Sequence, residues 1–264
     1  MTEPIIEIHD LVTYYDTRKI LDGINLNIYP GETLTVLGRS GCGKSTLLRH
    51  IVGLSNPTSG KILIKGNDIT KMSEEERLPS LKKIGMLFQS GALFNSMSVG
   101  DNVALPLREH TRLEEPTIKI MTRMKLDQVG LSGFEDFMPS QLSGGMKKRA
   151  ALARAIAMDP DILFCDEPSA GLDPIVAVGI DQLIIKLKKA FKMTIVVVTH
   201  ELASVFLIAD RVALLDQGKI IAIGTPDELK NSSNEKVNQF FNRIPDAEII
   251  NKEEYLNALI GNNK

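Results

Sequence analysis

The feature that most constrains the fold is GRSGCGKS at residues 38–45, because it stands between two segments of opposite character. Before it, TLTVL at 33–37 is a short apolar run; after it, Leu47, Leu48 and Ile51 share one helical face. Two further runs, DILFC at 161–165 and TIVVV at 194–198, lack polar alternation, which is typical of strands buried on both faces. The pattern predicts an α/β fold with a mainly parallel sheet covered by helices.

The glycine-rich segment also predicts chemistry. Its spacing, GxxxxGK[ST], lets the backbone wrap around a phosphate, so that N–H groups and the start of the next helix face the anion. Lys44 is expected to reach the β- and γ-phosphates of a nucleotide, and the Ser45 hydroxyl to ligate Mg²⁺. The nucleotide-binding residues predicted in this loop are Gly38, Arg39, Ser40, Gly41, Cys42, Gly43, Lys44, Ser45 and Thr46.

A pair of carboxylates, Asp166 and Glu167, follows the apolar run at 161–165. Ligands of open α/β sheets bind at the carboxyl ends of the strands, so we expect the pair to face the phosphate loop. Asp166 would hold Mg²⁺ through water, and Glu167 would orient and deprotonate an attacking water. Taken alone, such a pair is more typical of a solvated strand end, and its meaning comes from the loop beside it.

Composition narrows the class of protein. The 264 residues, 43% of them hydrophobic, are enough for one large domain or a domain with a subdomain. The net charge is −2, whereas proteins that bind nucleic acid usually carry a basic excess, so no nucleic-acid partner is expected. Two cysteines, Cys42 and Cys165, indicate a reduced cytosolic setting. No apolar run approaches the roughly 18 residues that span a bilayer, so membrane work would pass through a partner.

Between residues 91 and 159 the pattern becomes helical, with Ile118, Met121 and Met124 at helical spacing. We predict a helical subdomain here, inserted into a domain that spans residues 5–230. Towards the end of that domain, VALL at 212–215 and KIIAI at 219–223 flank the turn DQG and predict a hairpin. TPDE at 225–228 then predicts the start of a helix.

The run LSGGM at 142–146 leads into the helical segment KKRAALARAIA. Together with the phosphate loop and the carboxylate pair, it resembles the ABC ATPase family, whose signature is LSGGQ. The resemblance extends to Tyr15 as the aromatic residue that stacks on adenine, Gln89 as the Q-loop glutamine and His200 as the switch histidine. SAGLD at 169–173 resembles the D-loop, which ends at Asp173.

This resemblance implies ATP hydrolysis, with ATP and Mg²⁺ as cofactors, on an ABC-type P-loop NTPase fold that has antiparallel strands at its N-terminus and periphery. The implied catalytic residues are Glu167, His200 and Gln89, and the implied metal-contacting residues are Ser45, Gln89 and Asp166. It also implies a homodimer, because in this family the signature of one copy closes over the nucleotide held by the other. The residues that would contact a partner's ATP are Ser143, Gly144, Gly145 and Asp173.

A finer resemblance concerns the cargo. Residues 86–110, MLFQSGALFNSMSVGDNVALPLREH, and Met146 in place of the usual glutamine are similar to the ATPases of bacterial Mce-associated lipid transporters, above all the maintenance-of-lipid-asymmetry system. That similarity implies phospholipid transport between the inner and outer membranes, a permease dimer, a periplasmic Mce-domain protein and a small STAS-domain subunit. The ATPase would lie on the cytoplasmic face of the inner membrane. An importer ATPase for another cargo, such as an amino acid, and a permease-free soluble ABC ATPase remain alternatives.

Two short segments carry local expectations. Cys42 lies beside Lys44 and near a helix N-terminus, surroundings that favour a reactive thiolate; the alternative is an inert small residue. Leu93, Phe94 and Met97 follow Gln89 and are candidates for contact with a permease, or else for the core of the helical subdomain.

The tail, residues 235–264, is predicted to form two short helices. The first apolar stripe before Pro245 comprises Val237, Phe240, Phe241 and Ile244. The second, after a cap at Asn251, comprises Tyr255, Leu256, Leu259 and Ile260. Helices this short need a surface to cover. They would either fold back onto their own domain or cross to the other protomer and hold the dimer together, where they could form part of a STAS-subunit site.

Overall fold

The computed structural model describes residues 3–244. Its strands are β1 (Ile6–Tyr15), β2 (Arg18–Ile28), β3 (Thr33–Leu37), β4 (Ser59–Ile64), β5 (Asn67–Asp68), β6 (Ile84–Leu87), β7 (Ile162–Asp166), β8 (Thr194–Thr199), β9 (Arg211–Asp216) and β10 (Lys219–Gly224). Its α-helices are α1 (Lys44–Ile51), α2 (Glu74–Leu81), α3 (Val99–His110), α4 (Glu115–Gln128), α5 (Gly144–Ala155), α6 (Pro174–Phe191), α7 (Leu202–Ile208), α8 (Pro226–Lys230) and α9 (Glu235–Phe241). No helix in this part of the chain is long and apolar enough to cross a membrane.

The larger sheet has the strand order β10-β9-β3-β8-β7-β6. Neighbours from β9 to β6 are parallel, and β10 joins antiparallel at the edge. Every residue of β3 and β8 is buried, because helices cover both faces of a parallel sheet. A smaller antiparallel sheet has the order β2-β1-β4-β5. The predicted fold class is therefore confirmed, including the peripheral antiparallel strands.

The hairpin and the helix predicted near the end of the domain are both present. Strands β9 and β10 pair across a turn in which Gln217 and Gly218 have φ of 45° and 77°. Thr225 caps α8: its hydroxyl accepts from the Glu228 N–H at 3.3 Å, and the Glu228 carboxylate accepts from the Thr225 N–H at 2.7 Å. This reciprocal capping box satisfies two backbone donors that the first helical turn leaves free.

Helices α3, α4 and α5 fill the chain between β6 and β7, and no strand interrupts them. They share one apolar cluster with the sheet, in which Val103 and Leu126 pack with Leu163 and Val197. Ile118 is buried, as the spacing predicts, but Met124 is 55% exposed and faces away from this core. The boundaries 5–230 and 91–159 remain predictions.

The first tail helix, α9, folds back onto its own domain. Val237 and Phe241 are buried in a cluster with Leu37 and Leu214, and Phe241 lies edge-on to Phe206 with ring centroids 6.1 Å apart. This packing favours the fold-back alternative for α9, and a crossing of the tail to another protomer stays a prediction. Ile244 lies beyond the helix end and is 51% exposed. The second predicted helix, which Asn251 would cap, lies outside the described residues.

Candidate functional site

The phosphate loop lies between β3 and α1, at the carboxyl edge of the parallel strands. Gly43 caps α1 with φ of 110°, and a side chain there would meet Leu21 Cδ2 at 2.8 Å, so the position requires glycine. Lys44 is buried, and its ammonium donates to the carbonyl oxygens of Gly38 at 2.8 Å and Arg39 at 3.0 Å. The loop therefore curls around its own lysine, with the start of α1 behind it.

Strand β7 delivers the carboxylate pair to the same edge. The Ser45 hydroxyl donates to Asp166 Oδ1 at 3.5 Å. Burial and the neighbouring Glu167 charge raise the pKa of the Asp166 carboxyl, an effect that a bound cation would oppose. Among residues 3–244 no three His, Cys, Asp or Glu side chains form a metal cluster. A site with one hydroxyl and one carboxylate, such as Ser45 and Asp166, suits Mg²⁺, which proteins usually bind through one or two side-chain oxygens together with the phosphates of the substrate.

The backbone of Glu167 is strained, and hydrogen bonds hold both its backbone and its carboxylate in place. Its φ is 47°, a region that residues with a side chain rarely adopt, and its N–H donates to the Val198 carbonyl at 2.8 Å. The Thr199 hydroxyl donates to Oε2 at 3.1 Å, and His200 Nδ1 donates to Oε1 at 2.8 Å, since an ionised carboxylate only accepts. Two donors from the end of β8 thus aim one carboxylate.

These elements enclose one cavity of about 420 Å³, a size usual for small-ligand sites. It brings together the predicted residues Tyr15, Ser40, Gly41, Gly43, Lys44, Ser45, Thr46, Gln89, Glu167 and His200. Tyr15 is 46% exposed at the rim, which leaves its ring free to stack. Asp166 adjoins the cavity through Ser45. The arrangement can hold a polyphosphate and place a carboxylate base near its end.

The four residues predicted to contact a partner's ATP do not line this cavity of the described chain. Ser143 caps α5, accepting from the Met146 N–H at 3.3 Å, and Asp173 caps α6 by accepting from the Ile175 and Val176 N–H groups. Gly144 lies against Leu172 of the D-loop and Gly145 against α6, where a side chain at Gly145 would meet Val176 Cγ1 at 2.5 Å. The signature and the D-loop thus meet each other, apart from the phosphate-loop cavity.

Arg39 and Cys42 belong to the phosphate loop but do not line the phosphate-loop cavity. Arg39 lines a different cavity, of about 260 Å³, with Asp216 and Lys236. The expectation of a reactive Cys42 thiolate is wrong: Cys42 is buried, and burial raises its pKa more than the Lys44 charge lowers it. The nearby lysine in the sequence predicts a lowered pKa for Cys42, because the sequence does not show that folding removes the thiol from water.

The three apolar residues predicted after Gln89 as permease contacts or subdomain core differ in their exposure. Leu93 packs against the core and Met97 is half-buried, whereas Phe94 is 51% exposed and lines an apolar groove of about 460 Å³. The buried Asn102 amide holds the backbone of Phe94 at both its N–H, at 2.8 Å, and its carbonyl, at 3.0 Å. The ring is therefore presented on a fixed backbone.

Three residues of the site are not predicted by the sequence pattern. Arg18 and Ile20 line the cavity beside Tyr15, and their only signal is closeness to that tyrosine in the sequence. Lys148 is buried and donates to the carbonyls of Gln89 and Glu167. It follows the LSGGM run on a helix of several basic residues, so nothing local distinguishes it.

Comparison with known proteins agrees with this geometry. Residues 21–170, which include the phosphate loop, Gln89, the signature and the carboxylate pair, match the family model described as ABC transporter. The chain belongs to the ABC transporter family, and it is an ATPase of that family.

Among its relatives is the intermembrane phospholipid transport system ATP-binding protein MlaF of Haemophilus influenzae, 45% identical over 94% of each chain. The probable ribonucleotide transport ATP-binding protein mkl of Mycobacterium leprae is 40% identical over 90% of this chain and 68% of that protein. A similar solved structure is an ATP-binding cassette in a dimeric post-hydrolysis state with ADP and Pi. It has a TM-score of 0.78 and 30% identity, and the match covers 84% of this chain and 98% of that one.

Proposed function

We propose that this chain is the ATP-hydrolysing subunit of a transporter that moves phospholipid between the inner and outer membranes of a bacterium through a partner permease. One observation carries the hydrolysis: Lys44, Ser45, Glu167 and His200 line one cavity, although they come from three separate segments of the sequence. The cargo is supported by the 45% identity to a phospholipid-transport ATP-binding protein over 94% of both chains.

Each side chain has a role in this proposal. Tyr15 stacks on adenine, and Lys44 gives its hydrogen bonds to the β- and γ-phosphates instead of to the loop carbonyls. Ser45, Asp166 and Gln89 supply oxygens for Mg²⁺, which when bound neutralises charge on the phosphates. Glu167 takes the proton of the attacking water, and His200 holds that carboxylate in place and faces the γ-phosphate.

A second copy completes the site. Ser143, Gly144, Gly145 and Asp173 lie away from the cavity of their own chain, on the ends of α5 and α6. The exposed N-terminus of α5 carries a partial positive charge that suits the γ-phosphate of a partner's ATP. The dimeric state of the similar cassette supports this arrangement. A homodimer would therefore bind two ATP molecules between its protomers.

The permease would dock on the apolar groove that Phe94 lines. Met86 on β6 and Phe88 just after it also line this groove, so the groove adjoins the segment that carries Gln89. A permease dimer would place the ATPase on the cytoplasmic face of the inner membrane, with a periplasmic Mce-domain protein and a small STAS-domain subunit as further partners. No nucleic-acid partner is proposed, because the net charge is −2.

The hydrolysis is tested with Glu167→Gln in the complex purified with its permease. ATP binding should persist while the rate of phosphate release falls by about 10²–10⁴, the usual value of general-base assistance. Glu109→Gln is the matched control, because Glu109 is exposed on α3 and its carboxylate has no hydrogen bond or ion pair within residues 3–244. Phosphate release near the normal rate in Glu167→Gln would refute the assignment.

The cargo is tested by extracting lipid from the same complex. Phospholipid bound in stoichiometric amount, and ATP-driven transfer of that lipid between vesicles, are expected. The mycobacterial relative favours a second candidate, a nucleotide cargo. A complex that contains no phospholipid and whose ATPase responds to added ribonucleotide would support that candidate.

A further inference from the structure

Lys148 is a buried cation that the proposed mechanism leaves unused. It lies in the second turn of α5, the helix that Ser143 caps, and is only 6% exposed. Removing an ammonium group from water is costly unless hydrogen bonds and charges compensate for the loss. Burial lowers the pKa of this ammonium, and the charges of Asp166 and Glu167 oppose that lowering.

The two hydrogen bonds of Lys148 end on the two residues that flank the cavity. Its Nζ donates to the Gln89 carbonyl at 2.5 Å and to the Glu167 carbonyl at 3.0 Å. Both acceptors are backbone atoms, so the Gln89 and Glu167 side chains remain free to face the cavity. One ammonium thus ties the backbone after β6 to the backbone after β7.

Arg154, at the other end of α5, shows what a purely local anchor looks like. Its guanidinium donates to the carbonyls of Gly91 and Ala92, at 2.8 Å each, and lies over the Phe94 ring. All these contacts belong to the segment that follows Gln89. Lys148 differs because it also reaches Glu167, the residue with the strained backbone.

From this bridge we infer that Lys148 is a positioning residue for hydrolysis. It holds Gln89 and Glu167 at a set separation and couples the positions of both residues to that of α5. The inference rests on the proposed function, because it assumes that Glu167 is the base. Since α5 begins at the signature, a shift of that helix would move both residues relative to the phosphates. ATP binding needs neither contact, because Lys148 does not line the cavity.

The test uses Lys148→Met, which keeps length and removes the donors, and Lys148→Arg, which keeps charge and donors. Lys147→Met is the matched control, because the Lys147 ammonium has no hydrogen bond or ion pair in the described part of the chain. In the permease complex, Lys148→Met should lower kcat about 10- to 100-fold, the cost of a misplaced catalytic group, with KM for ATP within about twofold. Lys148→Arg should recover most of kcat, and Lys147→Met should match the unmodified complex.

Three outcomes would overturn the inference: an unchanged kcat in Lys148→Met, a loss that appears as a raised KM, or equal losses in Lys148→Arg and Lys148→Met when rates are corrected for the folded fraction. Glu167→Gln is measured in parallel. If Glu167→Gln abolishes hydrolysis and Lys148→Met does not affect it, the inference alone fails. If Glu167→Gln hydrolyses ATP normally, the proposed function fails.

Discussion

Replacing Phe241 by alanine tests whether α9 belongs to the fold of its own domain. Phe241 is 5% exposed and has edge contacts with Phe206, at 6.1 Å, and Phe240, at 6.3 Å. Truncation of a buried phenylalanine costs about 3–5 kcal/mol, of which two aromatic contacts account for about 1–3 kcal/mol. Because α9 is a short peripheral helix that can shift to close the gap, we expect the lower end, about 3 kcal/mol.

The measurement is urea unfolding followed by far-ultraviolet circular dichroism, because the chain has no tryptophan. A loss of about 3 kcal/mol corresponds to a fall in Tm of about 6–12 °C for a domain of this size. Ile244→Ala is the control: Ile244 is 51% exposed, so the change should stay within about 0.5 kcal/mol. Equal, small effects of both substitutions would refute the packing argument. A weaker dimer with unchanged unfolding would instead favour a tail that crosses to the partner.

Three further predictions follow from buried groups. Maleimide should label neither cysteine in the native chain and both cysteines in urea, because both thiols are buried and burial raises the pKa of each, that of Cys165 to about 12. Rapid labelling of Cys42 in the native chain would contradict this. Burial lowers the pKa of His50, which bonds Thr13 at 2.8 Å, so the folded chain binds fewer protons and its stability should fall as pH drops below 6.5. His50→Gln should flatten that slope in urea titrations at successive pH values, and an unchanged slope would contradict it. Gly43→Ala should weaken ATP binding about 5- to 150-fold in equilibrium dialysis, because a side chain at its φ of 110° strains the phosphate loop by about 1–3 kcal/mol; normal affinity would contradict this.

The sequence by itself determined the parts of this protein that contiguous residues encode. Strand β3, the phosphate loop and α1 follow one another in a single segment, so their periods and glycines reveal them directly. The same holds for β7 with its carboxylates and for the capping box of α8, because each depends on neighbours a few residues away. The parallel sheet then places Ser45 beside Asp166 at its carboxyl edge, as the strand pattern predicts.

Only the tertiary structure decided which groups leave water and which distant groups meet. Cys42 becomes a buried, less acidic thiol because of the core around it, a property that its neighbours in sequence do not contain. Lys148 joins residues 59 and 19 positions away, and α9 finds its surface on strands formed much earlier in the chain. Burial and long-range hydrogen bonding depend on the packing of whole elements, because solvation is set by everything that surrounds a group and not by its own segment.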